Sequence, residues 1–296
     1  MARQHPLLPF LAAALGIATF SAMDALMKSA ATAAGVYNAM LLRSLIGAAL
    51  VLPLWRWRTR AAGWPTGRAL RLHLIRATVC AGMTTSFFWG LVRIPMAEAI
   101  ALSFIAPLIA LYLAAALLGE TVSRASILAS LLGLCGVVVI AVGRLNGDGF
   151  AGEAGWGVAS VLLSAMLYAW NLVLQREQAQ LADPAEIAFF QNAIIALILA
   201  AAAPWAFAMP AAPAVADIAA GAVLAVGSLM LLSWAYARSE AQALVPIEYS
   251  AFIWSAIIGR IVFDEPLTAA TVAGVVLIVA ACLIAARRPT EQTALA

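Results

Sequence analysis

Ser21-Ala22-Met23 returns as Ser164-Ala165-Met166 after 143 residues, and Glu120-Thr121-Val122-Ser123 returns as Glu265-Pro266-Leu267-Thr268 after 145. Two matches at nearly one offset, close to half of a 296-residue chain, predict two copies of one unit. The units are residues 1–145 and 146–296, each with the same elements in the same order. If each unit crosses a membrane an odd number of times, the second inserts upside down relative to the first.

Composition places those units in a bilayer. Hydrophobic residues make up 65% of the chain, charged residues 10%, and the mean hydropathy is +0.99. A soluble domain carries roughly 25% charged residues. The apolar mass falls into runs of about 20 residues, the length that crosses a hydrocarbon core as helix. Ten are read: Pro9–Lys28, Val36–Leu54, Leu72–Val92, Ala97–Leu118, Ser123–Val142, Gly155–Gln175, Ile187–Phe207, Val215–Ala237, Leu244–Phe263 and Leu267–Ala286. They are apolar all round rather than alternating, which selects helices over barrel strands. The expected fold is an all-α integral membrane protein of ten transmembrane helices, arranged as two inverted five-helix repeats. Pro9–Lys28 is taken as the first span, being longer than the apolar core of a cleaved leader.

Basic residues set the orientation. With the amino terminus cytoplasmic, Arg3, Arg56, Arg58, Arg60, Arg68, Arg71, Arg76, Arg124, Arg176, Arg238, Arg287 and Arg288 fall inside, against Lys28, Arg93, Arg144 and Arg260 outside. Short Arg-rich loops stay cytoplasmic, so both termini are expected inside. Trp55, Trp57 and Trp64 flank the basic loop, where an interfacial aromatic belt belongs. The net charge of +3 thus records topology and not nucleic-acid binding. Cys80, Cys135 and Cys282 all lie in predicted spans, which argues against a disulfide framework.

Chemistry must come from polar groups inside the bilayer, where they are costly and face a cavity or one another. Asp24 and Lys28 share one face of the first helix, four residues apart. Arg43 enters the second helix to a similar depth, so Asp24 is expected to pair with Arg43 or Lys28. On the sixth helix Trp156, Ser160, Ser164, Tyr168, Asn171 and Gln175 form one helical face. That face is expected to line a cavity; the alternative is bonding between helices. Asn171 falls at the repeat position of Lys28, and Gln191 near that of Arg43. Glu248 and Tyr249 follow Pro246 on the ninth helix, where Glu248 could bind a proton, meet a substrate ammonium or pair with Arg238. Pro246 and Pro107 are expected to bend their helices. Trp89, Trp234 and neighbouring aromatics could enclose an apolar side chain. The fifth and tenth helices, poor in polar residues and containing Gly133 and Gly136, read as structural.

Leu118-Gly119-Glu120-Thr121-Val122-Ser123 closes the fourth span, and Phe263-Asp264-Glu265-Pro266-Leu267-Thr268 closes the ninth, after Pro246-Ile247-Glu248-Tyr249 and Trp254. With ten helices in two halves, these motifs resemble the EamA family of the drug/metabolite transporter superfamily over almost the whole chain. Asp264 departs from the pattern by standing in the Gly place. The resemblance implies ATP-independent secondary transport of a small-molecule substrate across the cell inner membrane. Bacterial amino-acid exporters are the leading comparison. S-adenosylmethionine, nucleobase, amine and drug transport are alternatives within the family. It implies no cofactor, and a monomer or weak homodimer.

Other classes lack their chemistry. The sequence has no His-Glu-x-x-His and no Gly-x-x-x-x-Gly-Lys-Ser/Thr. His5 and His73 are both expected near the inner surface, which leaves no His-based metal site. A membrane transferase using Asp24 and Glu248 as acid and base is the competing class.

Overall fold

The computed structural model describes residues 8–58, 64–65, 67–118, 124–145, 152–178, 180–236, 238, 244 and 247–286. The Glu120 motif and Pro246 lie outside the described residues. Among those described, all regular structure is helical: α1 (Leu8–Ala34), α2 (Val36–Arg58), α3 (Gly67–Leu91), α4 (Met96–Ser103), α5 (Ala106–Leu118), α6 (Arg124–Leu145), α7 (Glu153–Gln178), α8 (Pro184–Ala200), α9 (Ala203–Ala206), α10 (Ala212–Tyr236), α11 (Ser250–Phe263) and α12 (Ala269–Ala286). Leu8–Ala34, Val36–Trp57, Glu153–Gln175 and Ala212–Leu232 are each long and apolar enough to cross a membrane alone.

Two expected spans are not continuous helices. Ala97–Leu118 breaks at Phe104–Ile105, two residues before Pro107, which has no N–H to extend the ladder. The thiol of Cys282 donates to the Phe104 carbonyl at 3.3 Å. Ile187–Phe207 stops at Ala200, turns, and ends in the single turn Ala203–Ala206 around Pro204. The start of α8 follows helix-capping rules: Asp183 accepts from the Ala185 amide at 2.8 Å, and Pro184 takes the first position.

The helices pair in a pattern that survives exchange of the halves. α1 packs on α10 and α3 on α7, so the first helix of each half meets the third of the other. α2 packs on α8 and α6 on α12. In lipid, such pairs gain from small residues and interhelical hydrogen bonds. Ser228 donates to the Gly16 carbonyl at 2.7 Å across α10 and α1, while Ser160 and Ser164 donate to Ser86 and Met83 carbonyls at 2.8 Å across α7 and α3. α6 and α12 cross where Gly136 faces the Gly274 backbone: a Cβ on Gly136 would sit 2.6 Å from the Gly274 carbonyl oxygen. Leu128, Leu131 and Leu134 stay exposed on α6, giving it a bracing role with an outward apolar face.

Candidate functional site

Polar side chains gather at three levels. At the level where α1 ends, the Lys28 ammonium is buried against Glu265 at 2.5 Å and also donates to the Ile94 carbonyl at 2.8 Å. The other Glu265 oxygen accepts the Met96 amide at 2.7 Å, and Gly259 leaves room for that carboxylate. One carboxylate, from the α11–α12 connection, therefore joins α1 and the start of α4. Asp264 holds a left-handed backbone (φ 53°) at the end of α11. A residue in that conformation is usually Gly and occasionally Asp or Asn, which accounts for Asp in the Gly place. Nearby, Ser29 donates to Asp217 at 2.8 Å. Trp89 stands at the end of α3, where the Arg93 guanidinium lies 3.4 Å from its ring centroid and bonds Glu153 at 2.7 Å. That position is away from the centre.

In the middle, Asp24 and Arg43 act on each other electrostatically from α1 and α2. Asp24 is 2% exposed. Its Oδ2 and the Nε of Arg43 are buried without a hydrogen-bond partner among the described residues. One Arg43 amino group reaches only the Met23 sulfur, at 3.8 Å, and the guanidinium lies 5.7 Å from the Phe88 ring centroid. Cys80, fully buried on α3, is an electrostatic neighbour of both Arg43 and Arg76. Tyr168 on α7 keeps 36% of its surface accessible and has Glu248, Cys80 and Arg76 as electrostatic neighbours. Lys28 is not Asp24's partner, since Glu265 holds it elsewhere.

At the opposite level Arg76 spreads its fork over α7. Nε donates to the Asn171 oxygen at 2.8 Å, and the two amino groups reach Gln178 at 2.6 Å and Gln175 at 3.3 Å. Gln178 continues to His73 Nδ1 at 2.7 Å, and His73 Nε2 meets Glu186 on α8 at 2.9 Å. The Cys80 thiol shares the Asn171 oxygen at 3.1 Å. Arg76 and His73 are 6% and 1% exposed, so both are buried between the helices at this level.

The structure therefore brings Asp24, Arg43, Tyr168, Asn171 and Glu248 into one chain of neighbours through Cys80 and Arg76. It sets apart Lys28, Trp89 and Ser164, the last engaged by a helix-to-helix bond. Gln191 lies half-buried on α8, outside these networks. Tyr249 meets Phe104 edge-on, with ring centroids 5.1 Å apart. The Arg238 guanidinium lies 4.3 Å from the Trp234 ring centroid. Arg76 was findable in the sequence, as a charge inside a predicted span. Gln178, beyond the predicted end of the sixth helix, gave no such signal. An apolar groove of about 470 Å³ between α3 and α7, lined by Leu74, Thr78, Leu167 and Trp170 among others, is separate from the polar centre. Among the described residues no group of three or more His, Cys, Asp or Glu side chains is placed to hold a metal ion.

Comparison with known proteins agrees with this fold. The family model of the EamA-like transporter family matches residues 7–142 and 155–287. The pseudopaline exporter CntI of Pseudomonas aeruginosa is 28% identical, covering 94% of this chain and 95% of its own. An uncharacterized transporter of Helicobacter pylori is 24% identical, covering 90% of each chain. A crystal structure of a protein 22% identical superposes over 94% of this chain and 95% of that one, with a TM-score of 0.65, which speaks for the fold alone.

Proposed function

Because the chain belongs to the EamA-like transporter family, we propose that it is a secondary, ATP-independent exporter of small metabolites, with amino acids as the cargo class. It is a multi-pass protein of the cell inner membrane with both termini cytoplasmic. Its ten spans form two inverted five-helix halves, residues 1–145 and 146–296, that rock about a shared centre. The observation that supports this most is the exchange-symmetric helix pairing around a buried polar centre, with polar networks above and below it. Such networks suit surfaces that must separate in turn, because polar contacts can trade protein partners for water. Asp24 serves cargo recognition here rather than acid–base catalysis.

A second reading, a cargo like the pseudopaline named for CntI, is favoured by that relative's coverage of both chains. Counterflow separates the readings. Purified protein in liposomes loaded with one unlabelled amino acid takes up the labelled form without nucleotide. No exchange with any amino acid, together with exchange of pseudopaline, selects the second reading.

A further inference from the structure

We propose that Asp24 and Arg43 are the specificity pair of this transporter. Asp24 reads a cationic amine and Arg43 a carboxylate on one zwitterionic cargo. The inference rests on the transporter reading and names the groups that recognise the cargo.

The two charges are not arranged as a structural ion pair. Lys28 and Glu265, elsewhere in the protein, close to 2.5 Å, and each adds a hydrogen bond with the backbone. Asp24 and Arg43 sit on adjacent helices without a direct bond between them. Asp24 keeps a buried oxygen with no partner among the described residues, and Arg43 a buried Nε in the same condition. Among the described residues the one hydrogen-bond acceptor for the guanidinium is the Met23 thioether, a weak acceptor for a group with five donors. A buried carboxylate oxygen and a buried guanidinium nitrogen left in this state are costly, so the site is built for something that completes it. A zwitterion does so at no net charge: its ammonium takes the carboxylate and its carboxylate takes the fork, which a planar guanidinium binds in bidentate fashion. A lone anion or cation would satisfy one side and leave the other charge buried alone.

The test is binding to the purified full chain in detergent, read as thermal stabilisation. The probes are the common amino acids, each with its decarboxylated amine and its deaminated acid. The wild type should bind at least one amino acid about ten- to a hundredfold more tightly than either analogue, the loss expected for one charge-assisted bond. Asp24→Asn should bind that amino acid and its deaminated acid equally. Arg43→Gln should bind it and its amine equally. Asp24→Glu and Arg43→Lys, which keep the charges, carry the test if a neutral variant does not fold, and should retain the preference for both groups. A variant that weakens all three probes alike shows a structural pair and overturns the inference. So does a protein that exchanges some other metabolite in liposomes but binds no amino acid, an outcome that leaves the transporter reading standing. A protein that exchanges nothing overturns both.

Discussion

Phe104 and Tyr249 touch edge to face, 5.1 Å between ring centroids, and stand 145 residues apart in the chain. That is the offset that carries Glu120 to Glu265. Under the proposed two-fold relation of the halves, a contact between equivalent positions lies on the axis that relates them. Both residues also sit at breaks, Phe104 between α4 and α5 and Tyr249 at the start of α11. Two helix discontinuities therefore meet at this contact. Edge-to-face aromatic pairs contribute about 0.5–1.5 kcal/mol beyond their burial. The cycle Phe104→Leu, Tyr249→Leu and both together should show coupling of that size in unfolding free energy. Simple additivity would remove the contact's energetic role.

The buried Lys28–Glu265 pair should be far more sensitive to removal of one charge than of both. Lys28→Met alone leaves a carboxylate at 14% exposure without its cation. Breaking such a pair costs about 3–5 kcal/mol, whereas apolar replacement of both partners is often neutral. Thermal unfolding should rank wild type and the double variant Lys28→Met/Glu265→Leu above either single variant.

Glycine at the α6–α12 crossing is required by space. Gly136→Ala places a Cβ against backbone and should destabilise by about 1–3 kcal/mol. Gly227→Ala on α10 is the control: nothing lies within 4 Å of its Cβ position. It should be neutral or gain up to about 1 kcal/mol from helix propensity.

The sequence carried the helical, apolar architecture because periodicity and length are local properties of the chain. It carried the family because the Glu265 motif and its echo survive in the residues. Asp24 and Arg43 were legible as charges at matching depth. What pairs with what was not, since it depends on which helices touch. Lys28 looked like a neighbour of Asp24 by spacing on one helix, but Glu265, from the other half, outcompetes it. Arg76 was read as a topology marker because it lies near the basic loop, yet α7 supplies three side-chain acceptors that make its burial tolerable. The serines of α7 looked like a cavity stripe, and two of them tie α7 to α3 instead.

The central claim is that the two halves enter the membrane in opposite orientations. Ala33, at the end of α1, and Leu181, just after α7, are both exposed and occupy corresponding connections of the halves. In a background with Cys80, Cys135 and Cys282 replaced, single Ala33→Cys and Leu181→Cys variants are exposed to a membrane-impermeant maleimide in intact cells. Inverted halves predict labelling of Ala33→Cys from outside, and of Leu181→Cys only after the membrane is permeabilised. Labelling of both positions from the same side would contradict the account.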